Sequence, residues 1–170
     1  VSAKDIHPAL KPHQRDAVMW AIRGGRRALF ESFGLGKTVQ ELEWCRLVQE
    51  HENRPVIIVL PLGVRQEFTR DARELLGLDE PVYVRTMEEV KATTAKIYMT
   101  NYERVRDGDI DPRYFAGAAL DEASVLRSYG SKTFQTFMDL FPGVKYKLVA
   151  TASPSPNRYK ELIHYAGYLE

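Results

Sequence analysis

Two kinds of apolar pattern alternate along the chain. Short runs rich in β-branched, aromatic or small residues read as strands: Arg27-Ala-Leu-Phe30, Val56-Ile-Ile-Val-Leu60, Val82-Tyr-Val84, Ile97-Tyr-Met-Thr100, Ala116-Gly-Ala-Ala-Leu120 and Lys147-Leu-Val-Ala-Thr151. The run at 56–60 is apolar at every position and lies between Pro55 and Pro61, as expected of a strand covered on both faces of a parallel sheet. The run at 116–120 has the weakest strand propensity, and its reading leans on the acidic pair directly after Leu120. Between the runs, apolar residues return at helical spacing. Leu10 to Ile22 places Ala17, Val18, Ala21 and Ile22 on one face, accepts Pro12 in its first turn and ends at Gly24-Gly25. A second helix runs from Lys37 to about Glu50, with Val39, Leu42 and Cys45 turned inward. Val64 to Leu76 carries Phe68, Ala72, Leu75 and Leu76 on its apolar side. Lys132 to Phe141 repeats Phe134, Phe137, Met138 and Phe141, a spacing that reads as core packing rather than a ligand box. Polar stretches near 106–114 and 127–132 read as loops.

Strands alternating with helices predict an α/β fold, a mainly parallel sheet with helices on both faces. The 170 residues suit a single domain, 1–170, with a sizeable core. Composition changes this picture little: 44% hydrophobic and 28% charged residues are ordinary for such a domain. The formal charge of +1 means that a nucleic-acid surface would have to be local. The single cysteine, Cys45, leaves no intramolecular disulfide and no thiolate metal cluster. Apolar runs are too short for a membrane span and the first residues lack a secretory signal, so a cytoplasmic setting is expected.

The candidate chemistry sits at two strand ends. Gly34-Leu-Gly-Lys-Thr38 follows the first strand and opens a helix. Glycines such as Gly34 and Gly36 let backbone N–H groups close on phosphate oxygens, and the helix N-terminus adds its dipole. Lys37 can reach the β- and γ-phosphates, and Thr38 can put its hydroxyl on magnesium. The strict phosphate-loop pattern has glycine where this chain has Glu31. Asp121-Glu122 follows the strand ending at Leu120. Asp121 can hold magnesium directly or through water, and Glu122 can orient or deprotonate an attacking water. Either feature alone is a weak signal. Together they are what nucleoside-triphosphate hydrolysis requires.

With these motifs in order, the chain resembles the first RecA-like domain, a P-loop NTPase domain, of the superfamily 2 helicases and translocases. Within them it is most similar to the SWI2/SNF2-type DNA-dependent ATPases. The likeness runs from about Leu10 to the C-terminus. Leu10-Lys-Pro-His-Gln14 resembles the segment whose glutamine reads the adenine edge, which implies Gln14 as an adenine contact and ATP as the nucleotide. Phe33 to Thr38 matches the family's phosphate loop, in which an acidic residue commonly stands at the position of Glu31. Leu60-Pro-Leu-Gly-Val-Arg-Gln66 and Thr100-Asn-Tyr-Glu103 resemble segments on the nucleic-acid side, implying Arg65, Thr100 and Asn101 as backbone contacts. Asp121-Glu-Ala-Ser124 matches the acidic motif, with Ser124 where the family usually has His or Asp, a residue that can hydrogen-bond but carries no charge. Thr151-Ala-Ser153 resembles the motif linking hydrolysis to domain movement, so Ser124, Thr151 and Ser153 are the implied coupling residues. The stretch from Asn157 to Leu169 looks like bacteriophage and prophage members of the group, and so implies a bacterial or phage-infected cell.

The resemblance therefore implies an Mg-dependent ATPase domain of a DNA translocase that follows duplex rather than RNA. Such motors use a second RecA-like domain that supplies arginine fingers, and these residues leave no room for it. The domain alone is expected to hydrolyse ATP slowly. The alternative is a nucleic-acid-binding module that ATP regulates without motor activity.

Overall fold

The computed structural model describes residues 5–24, 26–30, 36–122 and 129–151. Six parallel strands form one sheet: β1 (Arg26–Phe30), β2 (Val56–Leu60), β3 (Val82–Tyr83), β4 (Ile97–Asn101), β5 (Gly117–Leu120) and β6 (Tyr146–Thr151). Their spatial order is β1-β6-β5-β2-β4-β3. The helices are α1 (Pro12–Gly24), α2 (Lys37–Glu52), α3 (Arg65–Glu74), α4 (Met87–Ala92), α5 (Tyr102–Arg106) and α6 (Ser131–Leu140). The predicted α/β fold, a RecA-like parallel sheet between helices, is what forms.

The all-apolar β2 is central, and its alternation divides the core. Val56, Ile58 and Leu60 pack with Val18 of α1, Leu42 of α2 and Phe68 of α3. Ile57 and Val59 pack on the other face with Val90 of α4, Tyr102 and Val105 of α5 and Phe137 of α6. This is the strand geometry expected when successive side chains point to opposite faces and both faces are roofed by helices. Gly117 opens β5 because the space is taken: a Cβ there would lie 3.2 Å from the Trp44 ring and 3.1 Å from Tyr146 Cβ.

Several local expectations shift. Helix α3 stops at Glu74, so Leu75, expected inward, is exposed, while Phe68, Ala72 and Leu76 are buried as expected. Phe137 and Phe141 are buried, and Phe134 and Met138 are only partly so. Part of the 106–114 stretch is a short 3-10 helix, and Ser131-Lys132 already belong to α6. Two helices carry no periodicity to find, α4 with six residues and α5 with five. Helix α4 is nevertheless capped, the Thr86 hydroxyl accepting from Glu89 N–H at 3.2 Å. In α1 the structure describes Val18, which is buried, but the side chains of Ala17, Ala21 and Ile22 lie outside the described residues. Among the described residues no helix is long and apolar enough to cross a membrane.

Candidate nucleotide site at the strand ends

Helix α2 begins at Lys37 with Gly36 as its cap. Gly36 has φ +79°, a left-handed conformation that side chains with a Cβ rarely adopt. Gln40 N–H donates to Gly36 O at 3.0 Å, closing the first helical turn. At the neighbouring strand end, β5 stops at Leu120 and Asp121 N–H continues the ladder by donating to Val59 O at 2.8 Å. The chain then turns at Glu122, whose φ of 52° is uncommon for a residue with a side chain.

That turn brings together residues from two distant segments. The Lys37 ammonium lies 3.1 Å from Asp121 Oδ1 and donates to Glu122 Oε1. The Asp121 side chain is 1% exposed and that of Glu122 23%, so one carboxylate is enclosed and the other faces the opening. Burial disfavours the charge on Lys37, but Asp121, Glu41 and Glu122 outweigh it and raise its pKa. The ammonium is therefore held in its charged form beside the carboxylates.

Glu41, one helical turn after Lys37, carries no motif that marks it in the sequence. It is completely buried within α2. Burial first, and then the Asp121 charge, push its pKa well above the usual carboxylate range. Its i, i+4 relation to Lys37 is a usable signal, since the two share a helix face. Tyr102 stands inside the Thr100 to Glu103 motif, which implies no role for it. Its buried hydroxyl donates to Asp121 O at 2.6 Å, and its ring stacks on Tyr129 with centroids 5.6 Å apart. That bond anchors the backbone of the acidic pair to α5.

Gln14 is buried in α1, and its Oε1 accepts from Lys11 N–H at 2.8 Å. This is the reach-back half of a capping box. Its Nε2 lies against Gly36: a Cβ at Gly36 would sit 1.7 Å away. The implied adenine-reading residue thus packs directly on the phosphate turn. Gly36→Ala is expected to destabilise the domain by about 1–3 kcal/mol through its backbone conformation and the collision with Gln14. A urea titration checks this. Gln14→Ala added to Gly36→Ala should recover only the collision part, and full recovery would remove the backbone contribution.

Thr38 is buried next to Lys37 in sequence, at the first turn of α2. Among the described residues no group of three or more His, Cys, Asp or Glu side chains is arranged to hold a metal ion. The donors here are of another kind. Asp121 Oδ1 is buried beside the Lys37 ammonium, and a buried carboxylate oxygen so placed suits a magnesium ion or its water. A hydroxyl and a carboxylate beside a phosphate-binding turn are the usual protein share of a magnesium–nucleotide site.

On the implied nucleic-acid side, Arg65 is exposed at the start of α3, with its guanidinium 4.6 Å from the centre of the Tyr83 ring. Thr100 and Asn101 lie inside. The Thr100 hydroxyl donates to Val84 O at 2.9 Å. Asn101 accepts from the Tyr83 hydroxyl at 2.6 Å and donates to Glu103 at 3.0 Å. Gly34, Glu31, Phe33, Ser124, Ser153 and the segment from Asn157 to Leu169 lie outside the described residues. Thr151 ends β6, and its side chain is likewise outside them.

The family model of the SNF2-related domain matches residues 13–166. Among solved structures, the chain is similar to the Sulfolobus solfataricus SWI2/SNF2 ATPase core in complex with dsDNA, with TM-score 0.74 and 18% identity over 100% of this chain and 37% of that one. The Sulfolobus solfataricus SWI2/SNF2 ATPase core domain gives TM-score 0.71 and 17% identity over 100% of this chain and 36% of that one. The UvsW helicase from Bacteriophage T4 gives TM-score 0.71 and 14% identity over 93% of this chain and 57% of that one. The chain thus spans little more than a third of the length of the two Sulfolobus structures. At these identities the likeness is one of fold.

Proposed function

We propose, from the premise that this chain belongs to the SNF2-related domain family of superfamily 2, that it is the ATP-binding and hydrolysing domain of a DNA-dependent translocase. The observation that carries the reading is the meeting of Lys37 with Asp121 and Glu122 at the carboxyl ends of parallel strands, where α/β sheets bind ligands. In this reading the turn at Gly34 to Gly36 and the N-terminus of α2 take the phosphates. Lys37 leaves its carboxylates to pair with the β- and γ-phosphate oxygens. Gln14 offers its amide to adenine, exchanging its bond to Lys11 for one to the base. Magnesium, held by Thr38 and Asp121, would neutralise charge building on the phosphate oxygens. Glu122, the more open carboxylate, orients the water and accepts its proton. Asp121, enclosed and anchored through Tyr102, keeps its place while Glu122 works.

Arg65 is the exposed phosphate contact for duplex DNA; Thr100 and Asn101, implied by the resemblance as contacts too, are buried with their polar groups on Val84 and Tyr83, so in this reading they hold the end of β4 behind it. The reading also includes coupling roles for Ser124, Thr151 and Ser153, a second RecA-like domain as partner, and a cytoplasmic setting in a bacterial or phage-infected cell, each carried over from the resemblance of its segment. The test is the ATPase rate of the chain joined to such a second domain, with duplex DNA, single-stranded DNA, RNA or no polymer. Duplex DNA is expected to stimulate most. Stimulation by RNA alone would defeat the DNA reading, and ATP binding without stimulated turnover would favour the nucleotide-regulated module.

A further inference from the structure

Arg65 is only the first residue of α3, and two more arginines, Arg70 and Arg73, follow it on the helix. Behind Arg65, a pocket of about 320 Å³ runs between α3 and the edge strand β3. Arg65, Thr69, Arg70, Arg73, Glu80 and Tyr83 are among its lining residues. Three arginines and the Glu80 carboxylate are among its lining residues, and Asp71 and Glu74 of the same helix pair with Arg70 and Arg73. The volume is in the range that holds a nucleotide-sized group.

Three further observations say what the groove fits. First, its arginines are engaged only at the surface: Arg70 with Asp71 at 3.3 Å, and Arg73 with Glu80 at 2.8 Å and Glu74 at 3.5 Å. Exposed pairs of this kind contribute little, so a phosphate can replace the carboxylate at small cost. Second, the planar guanidinium matches phosphate oxygens with paired N–H donors. Third, the Tyr83 ring under Arg65 holds that guanidinium beside the groove, in line for a phosphate. The upper end of the groove joins the end of β4 through the bond between the Tyr83 hydroxyl and Asn101. Helix α3 runs back from that strand end along the sheet, so Arg65, Arg70 and Arg73 descend along one side of a continuous path.

We propose that this α3–β3 groove is a second nucleic-acid subsite, in which Arg70 and Arg73 bind phosphodiesters of the strand that Arg65 receives. The inference rests on the nucleic-acid reading of Arg65 and extends it along the sheet edge. Glu80 acts against it, occupying Arg73 when no nucleic acid is present.

The test is binding of a short labelled DNA duplex, and of the single strand of the same sequence, to the chain over a range of salt. Arg70→Ala with Arg73→Ala is expected to weaken binding about tenfold and to lower the salt slope by close to two units, one for each phosphate contact. Glu80→Gln is expected to tighten binding several-fold, a gain that loss of folding cannot mimic. Lys91→Ala, the loss of one positive charge on α4 across the sheet, should change neither. If the double variant binds as the unaltered chain does while Arg65→Ala loses affinity, the groove is not a subsite and the reading of Arg65 stands. If the unaltered chain binds no DNA even at low salt, both fall. An equal loss of affinity for polyglutamate would show a general anion patch and overturn the assignment.

Discussion

Lys37→Ala is expected to lower the affinity for ATP by at least a factor of about 100, the cost of removing one partner from a buried charge cluster and more than 2 kcal/mol. The reason is where the ammonium sits. Lys37 is enclosed with Asp121 and Glu122, and Glu41 adds a third carboxyl from the same helix. Without the ammonium, a triphosphate bound here meets acidic groups alone, with repulsion where it had a counter-charge. Stability should fall too, by about 3 kcal/mol, because Asp121 would be left enclosed without its partner. Part of that loss is recoverable, since a carboxylate without a counter-ion can take up a proton. Titration with a fluorescent ATP analogue reads the first effect and thermal melting the second. Lys37→Arg keeps the charge and should restore stability better than affinity, because the guanidinium is broader than the ammonium that pairs with Asp121 and Glu122. A folded Lys37→Ala protein that binds ATP as well as the parent would remove Lys37 from the phosphate site.

Glu122→Gln is expected to leave ATP affinity within a few-fold and to slow hydrolysis by about 10²–10⁴, the range associated with a lost general base. The amide has nearly the shape of the carboxylate and can still accept from Lys37. It cannot take a proton from water. The contrast with its neighbour is structural: Asp121 is enclosed and fixed through Tyr102, whereas Glu122 follows on a left-handed turn that swings its side chain toward the opening. Single-turnover hydrolysis in the chain joined to a second RecA-like domain separates chemistry from binding. Unchanged turnover would reassign the base. Lost binding with unchanged chemistry of the bound fraction would make Glu122 a ligand for the nucleotide instead.

The legibility of this protein varies with the range of the interaction. Val56 to Leu60 announces itself because every residue is apolar and β-branched or leucine, and the structure makes it the central strand. Helix α2 is legible as a helix, but its degree of burial is not. Gln40, Glu41 and Glu43 are fully buried alongside Leu42 and Trp44, so the helix is covered on nearly every side and polar residues mislead about its surroundings. Arg46 explains Glu43, holding its carboxylate at 2.8 Å from a position three residues on. Helix α5 is hidden because it starts at Tyr102, the residue after β4 ends, with no glycine or proline to mark the change. Leu75 reads as inward only if a regular helix continues one residue beyond its actual end.

The sequence by itself determined the longer elements, the α/β class and the motifs at the ends of two strands, since these depend on residues adjacent in the chain. The tertiary structure decided the strand order, in which β5 and β6 lie between β1 and β2, and with it the meeting of Lys37, Glu41, Asp121 and Glu122. It also decided that Gln14 rests on Gly36, and that three arginines of α3 line one groove with Tyr83. Periodicity records which face of an element is apolar. It carries no information on which distant element that face will meet, because that choice depends on how the crossovers return each strand to the sheet and on the packing that closes both of its faces.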